Sequence, residues 1–71
     1  MQRHYYVVQA GDQWLVRNGD RVISTCDTYD EAAKSARRMA QQEANVLKIF
    51  TSVHVADFYG AFQPEWSYGR L

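Results

Sequence analysis

Three side chains in this sequence are of the types that a nucleophilic mechanism uses. Cys26, His54 and Asp57 could act as a thiol nucleophile, a general base and an orienting carboxylate. Nothing in their spacing supports such a triad, and 71 residues leave little room for a substrate pocket. His4 and His54 are far apart in the chain, and neither has the closely spaced second ligand of a metal motif. We therefore expect no enzymatic activity, no metal and no cofactor.

The closing stretch DFYGAFQPEWSYGRL is the best candidate for binding, because it carries half of the chain's aromatic residues. Aromatic side chains dominate both small cores and interface hot spots, so these rings serve a core, a partner, or both. We expect Trp66 and Phe50 to point inward, and Tyr59, Phe62 and Tyr68 to be partly exposed. The predicted partner-binding residues are Tyr59, Phe62, Trp66 and Tyr68.

Basic side chains define the alternative, a nucleic-acid-binding surface. Lys34, Arg37 and Arg38 share a helix face through their i, i+3, i+4 spacing, which suits phosphate contacts but is also typical of a solvated helix surface. Arg17 and Arg21 belong to strands whose outward face could enter a groove, although an ordinary exposed sheet face has the same composition.

Length, charge and cysteine content narrow the classes of function. A chain of 71 residues makes one domain (1–71). Such a chain buries only about 60% of its unfolded surface, so a partner would help to stabilise it. Eight basic and eight acidic residues cancel, which leaves no overall field toward nucleic acid or an anionic membrane. One cysteine, no signal segment and no spanning apolar run predict a cytoplasmic protein that binds no membrane.

The N-terminal part of the chain predicts three strands joined by tight turns. Three segments are rich in β-branched and aromatic residues: HYYVVQ (4–9), QWLVR (13–17) and RVISTC (21–26). AGD (10–12) predicts the first turn. Asn18-Gly19 predicts a type I′ turn, because both residue types accept a positive φ. The result is an antiparallel meander.

A single helix is predicted over residues 29–44. Thr28 and Glu31 have the spacing of a capping box at its start, and Asn45 is a plausible stop. Small apolar side chains recur at helical spacing and form one stripe, made of Ala32, Ala33, Ala36, Met39 and Ala40. Alanine buries little area, so the strands and the aromatic residues of the closing stretch (57–71), which we call the aromatic tail, must supply the bulk of the core.

The C-terminal part predicts one or two further strands. VLKIFTSV (46–53) is the fourth, and QPEWSYG (63–69) is a short edge strand or an ordered tail, because Pro64 cannot donate to a ladder. The predicted fold is α+β in the order β-β-β-α-β-(β), with the helix on one face of an antiparallel sheet.

Several of these motifs together resemble a group of short bacterial proteins that is known only as a domain of unknown function. The similarity lies in HYYVVQ followed by W-x-V, in R-x-x-S-x-C-D-T, in E-A-A-x-x-A-R-x-x-A, in L-K-I-F and in the closing W-S-Y-G. It extends over nearly the whole chain. The resemblance implies a three-stranded meander, a helix and a C-terminal strand, and it implies no activity. The meander followed by TYDEAAKSA also resembles DNA-binding domains that read the major groove with a three-stranded sheet.

From these features we expect a small, non-enzymatic protein-binding or regulatory module. Its partner is another protein or a second copy of the chain in a homodimer. Compact neutral proteins of this build are encoded by phages and other mobile elements. Our specific hypothesis is therefore that the protein inhibits host machinery, for example as an anti-CRISPR protein. Nucleic-acid binding is the alternative.

Overall fold

One helix and one five-stranded sheet make up the fold of a computed structural model that describes residues 2–56 and 60–69. The elements in chain order are β1 (Gln2–Ala10), β2 (Gln13–Asn18), β3 (Arg21–Cys26), α1 (Tyr29–Leu47), β4 (Phe50–Ala56) and β5 (Phe62–Tyr68). The strand order in the sheet is β3-β2-β1-β4-β5, and α1 contacts all five strands from one side. The predicted α+β fold, with a meander, a helix and two C-terminal strands, is confirmed.

The sheet is mixed, because β4 pairs with β1 in parallel and places Tyr6 beside His54. The prediction of an antiparallel sheet is wrong at this pair. The 19 residues of α1 extend about 29 Å at 1.5 Å per residue, which carries the chain back to the end of the sheet where β3 began. β4 must therefore run in the direction of β3, which is also the direction of β1, since the two hairpins of the meander are antiparallel.

Both hairpin turns of the meander place a glycine at the first central position. Ala10 pairs with Gln13, and Asn18 pairs with Arg21, so the central residues are Gly11-Asp12 and Gly19-Asp20. The two glycines have φ of 64° and 63°, and neither aspartate has a positive φ. This pattern fits type II′ turns. The predicted type I′ turn at Asn18-Gly19 is therefore displaced by one residue, and Asn18 is the last residue of β2.

The helix begins as predicted and ends three residues later than predicted. The Glu31 amide donates to Thr28 Oγ1 at 3.2 Å, which satisfies one of the free N–H groups of the first turn. Asn45 does not stop the helix. The chain leaves it at Lys48, which has the left-handed conformation with φ 57° and ψ 41°. Val46 and Leu47, predicted to open a strand, are exposed residues of the last helical turn.

The core lies between α1 and the inner face of the sheet. It is formed by Tyr5, Val7, Val16 and Val53 of the strands, packed on Ala32, Ala36 and Ala40 of the helix. The expected alanine stripe is confirmed, with Met39 partly buried at its edge. Polar contacts fix the helix on the sheet at two places, Ala40 and Glu43. Thr51 donates its hydroxyl to the Ala40 carbonyl at 2.7 Å, and the buried Tyr5 hydroxyl donates to Glu43, which also pairs with Arg3.

Both edge strands of the sheet are irregular. The register of β3 against β2 shifts next to Val16, and the register of β5 against β4 shifts next to Val53. β5 also carries Pro64, which has no N–H to offer a further strand. Bulges and proline are devices that discourage pairing at a sheet edge. The faces of the sheet and the helix are therefore better placed for binding than its edges.

Candidate functional site

The helix leaves one side of the sheet uncovered, and we call this side the open face. Side chains alternate along a strand, so the neighbours of the inward Tyr5, Val7 and Val53 point away from the helix. With the observed registers, the open face displays His4, Tyr6, Val8, Leu15, Arg17, Phe50, Ser52, His54 and Phe62.

Four of these side chains form a continuous cluster of rings, which we call the aromatic cluster (His4, Tyr6, His54 and Phe62). The Tyr6 ring is stacked on His54 with centroids 5.1 Å apart, and Phe62 meets Tyr6 edge-on at 5.0 Å. The His4 and His54 rings are in edge contact at 5.4 Å. Phe62 remains 38% exposed, so the cluster presents a ring to solvent. Exposed aromatic groups of this kind are typical of interaction surfaces.

Ser52 links the two histidines beneath the rings. Its Oγ lies 2.6 Å from Nδ1 of His4 and 2.9 Å from Nε2 of His54. One hydroxyl has one proton, so it can donate to one imidazole while it accepts from the other. A serine beside imidazole nitrogens is also the start of a nucleophile–base pair. Ser52 is only 3% exposed, so its hydroxyl is covered by the protein, and its two contacts hold both imidazole rings in place.

The pKa of His54 lies below its ordinary value of 6.5. Burial is the larger cause, since a partly desolvated imidazole resists taking up a charge, and the neighbouring His4 adds repulsion. At neutral pH the imidazole of His54 is therefore uncharged. His54 then adds no charge to the aromatic cluster, and Arg17 is the neighbouring cation.

Arg17 lies next to the aromatic cluster, opposite Tyr6 on β1. Its Nε is covered by the protein and has no hydrogen-bond acceptor among the described residues. The stem of the side chain is therefore held against the sheet. No described residue accepts a hydrogen bond from its terminal nitrogens, so these remain available to an outside acceptor. A guanidinium beside aromatic rings is a common composition at the centre of protein interfaces.

The predicted partner-binding residues do not form one surface. Trp66 and Tyr68 face the helix and pack on the core, so the inward prediction for Trp66 is confirmed. Phe62 lies on the open face. Phe50 was expected inward and lies on the open face instead, because Thr51 takes the helix side. Tyr59 lies outside the described residues.

The five basic residues are also divided. Arg17 is on the open face, whereas Lys34, Arg37 and Arg38 are exposed on the outer surface of α1, on the opposite side of the sheet. The register shift beside Val16 separates Arg21 from Arg17, and Arg21 borders a groove with Met39 of the helix. A single nucleic acid strand would have to wrap around the domain to contact all five.

The three side chains with catalytic chemistry are not brought together. Cys26 ends β3 and packs toward the helix, and His54 is on the open face of β4, with two strands between them. Asp57 lies outside the described residues. Within residues 2–56 and 60–69, no three side chains of histidine, cysteine, aspartate or glutamate are grouped so that they could hold a metal. No helix in this part of the chain has both the length and the apolar character needed to cross a bilayer.

The aromatic cluster is the feature that the sequence analysis missed. His4 and His54 are 50 positions apart in the chain but neighbours in space, because β1 and β4 pair in parallel. The signal was available in the order strand–helix–strand, since a crossover through a helix returns the chain parallel to the strand before it. Once β4 is placed beside β1, the alternation in HYYV and TSVHV brings both histidines to the same face.

A meander, one crossing helix and two C-terminal strands define a small α+β domain with one covered and one open sheet face. The chain belongs to the bacterial family described as uncharacterized protein conserved in bacteria (DUF2188), which matches residues 5–68. The resemblance found in the sequence is thereby confirmed over most of the chain. No match was found among curated proteins or among solved structures.

Proposed function

We propose that this chain is a small non-enzymatic protein-binding module and that the open face is its binding surface. The observation that carries the proposal is the uncovered aromatic cluster beside Arg17, with the Phe62 ring 38% exposed. The partner presents apolar side chains to the rings and a carboxylate to the guanidinium. Aromatic and arginine side chains are the two types most enriched at interface hot spots.

The composition of the open face favours a protein over a nucleic acid. Its defined residues include one permanent cation, Arg17, whereas nucleic-acid binders place several cations along one surface. The rings also contact one another rather than standing free as separate platforms for bases. Zero net charge points the same way. The partner of this surface is another protein or a second copy of the chain in a homodimer.

The biological role extends this proposal. A module that binds a protein without processing it fits a regulator or an inhibitor of a larger assembly. The specific role that we propose is an inhibitor of host machinery encoded by a phage or mobile element, such as an anti-CRISPR protein. The single unpaired Cys26 supports a cytoplasmic setting.

The test is capture of a partner from nuclease-treated bacterial lysate, followed by affinity measurement with matched variants. Phe62→Ala and Arg17→Ala remove the exposed ring and the cation of the open face. Val46→Ala and Arg21→Ala are their controls, because they remove an exposed apolar side chain and an exposed arginine elsewhere. We expect each open-face variant to weaken binding by at least about tenfold and each control to leave it unchanged.

Two results would contradict the proposal. Equal binding by all four variants would show that the captured protein uses another surface. Capture of nucleic acid alone from untreated lysate, lost after nuclease treatment or in high salt, would show that the chain is a nucleic-acid-binding protein instead. Circular dichroism of each variant checks that a loss of binding is not a loss of fold.

A further inference from the structure

The guanidinium of Arg37 is held at the side of α1 by two aromatic residues of β5. Its central carbon lies 4.7 Å from the centroid of the Trp66 ring, and its Nε donates to the Tyr68 hydroxyl at 3.2 Å. Both partners are packed against the core, so they provide a fixed support for an exposed side chain. With Nε occupied, the two terminal nitrogens remain as a pre-oriented pair of donors.

Two further cations accompany this pair of donors. Lys34 and Arg38 lie within one helical turn of Arg37, and side chains three and four positions apart on a helix are neighbours. Among the described residues the ion pair found is Arg3 with Glu43, so no carboxylate of these residues forms an ion pair with any of the three cations. Glu31, the acidic residue closest in sequence, is bonded to Thr28 at the start of the helix.

The three cations surround a shallow depression of ≈ 320 Å³ whose wall also includes Gln41 and Tyr68. A cluster of three cations, with one guanidinium fixed in orientation, is suited to a compact oxyanion. We propose that this depression binds a phosphate monoester, carried either by a small molecule or by a phosphorylated side chain. Arg37 contacts the phosphate oxygens with both terminal nitrogens, and Lys34 and Arg38 neutralise its charge. A phosphate monoester carries close to two negative charges at neutral pH.

The size of the cluster favours a single phosphate over a polyanion. The positive charge is confined to one turn of α1, between the acidic Asp30 and Glu31 and the neutral Gln41 and Gln42. A nucleic acid backbone would need further cations along its path. The site is independent of the protein-binding surface proposed above, because α1 and the open face are on opposite sides of the sheet.

The experiment is a titration of isotope-labelled protein, followed by NMR at the Arg37 Nε–H and the Trp66 indole N–H. The two probes are a capped peptide containing O-phosphoserine and a hexose phosphate. We expect saturable shifts at both reporter groups, with dissociation constants in the millimolar range for these isolated probes. The probe that binds more tightly identifies the source of the phosphate.

Variants separate a built site from general attraction to positive charge. We expect Lys34→Ala combined with Arg38→Ala to weaken binding by at least about tenfold. Arg37→Lys keeps the charge but removes the paired donors, and we expect a loss of about threefold or more. Arg21→Ala removes an exposed arginine outside the site and should leave binding unchanged.

Two outcomes would overturn the inference. The first is a set of shifts that never saturates and that sodium chloride reproduces at equal ionic strength. The second is stronger binding of a single-stranded oligonucleotide, with affinity that rises with its length and shifts that extend to Arg17. The first result would show that the depression is an ordinary solvated helix surface. The second would show that it is part of a nucleic-acid-binding surface.

Discussion

At the scale of single residues, His54 couples the stability of the open face to pH. Its folded pKa is lowered from 6.5 by burial and by His4. Above pH 6.5 the imidazole is neutral in both states, and its contribution to stability is complete. As the pH falls below that value, the unfolded chain takes up the proton first. The free energy of unfolding therefore decreases until the lowered folded pKa is passed.

This behaviour is measurable by urea unfolding of the wild type and of His54→Asn at about pH 7.5 and about pH 5.5. We expect the wild type to lose more stability on acidification than the variant, which lacks the titrating ring. An equal loss in both proteins would show that other groups carry the pH dependence and that burial and His4 do not lower the pKa of His54.

Residue types alone could not show that this cluster exists. The sequence provides His4, Tyr6, Ser52 and His54 as two unrelated pairs, and each pair alone is a common strand composition. Only the pairing of β1 with β4 brings the two imidazoles to one hydroxyl. By contrast, the support of Arg37 by Trp66 and Tyr68 depends on packing between a helix and a strand about 30 residues away, and no local pattern encodes it.

At the scale of elements, the start of the helix was better predicted than its end. Thr28 fixes the start of α1 through a local hydrogen bond, which the sequence shows directly. The end of α1 was missed because Val46 and Leu47 are strand-forming or apolar types, yet they lie exposed in its last turn. The turn at Gly19 was displaced by one residue because Asn18 keeps its pairing with Arg21.

Two left-handed positions at element ends make opposite predictions. Lys48 has φ 57°, a left-handed conformation that is strained for a residue with a side chain. Lys48→Gly should therefore relieve backbone strain and raise the free energy of unfolding by about 0.5–1 kcal/mol.

Gly69, the last residue of the W-S-Y-G motif, has φ 85°, and an added Cβ would lie 2.4 Å from the Ile49 carbonyl oxygen. Gly69→Ala should therefore lower the free energy by about 1–3 kcal/mol.

Chemical unfolding of both variants under one set of conditions provides the measurement. A stabilised Gly69→Ala protein would mean that the chain end does not close against Ile49. A destabilised Lys48→Gly protein would mean that the lysine side chain contributes to the helix end through contacts that outweigh the backbone strain.

At the scale of the whole molecule, the α+β architecture followed from hydrophobic pattern and turn residues, whereas the assignment of binding surfaces did not. The meander, the alanine-faced helix and the C-terminal strands are encoded locally. Which rings face solvent depends on how β4 and β5 extend the sheet, and this divides the aromatic tail. Trp66 and Tyr68 close the core and support Arg37, while Phe62 joins the open face.

Site-specific photocrosslinking shows directly whether the open face binds a protein. Phe62 is replaced by p-benzoylphenylalanine, which keeps an aromatic side chain at the exposed edge of the aromatic cluster, and Asn45 on the exposed surface of α1 carries the same group in the control. After irradiation in nuclease-treated lysate, we predict that one protein is crosslinked at position 62 and none at position 45. An excess of unlabelled wild-type chain should prevent this crosslink, whereas an excess of the Arg17→Ala variant should not. Crosslinking at position 45 alone, or competition by Arg17→Ala equal to that by the wild type, would show that the open face is not the binding surface.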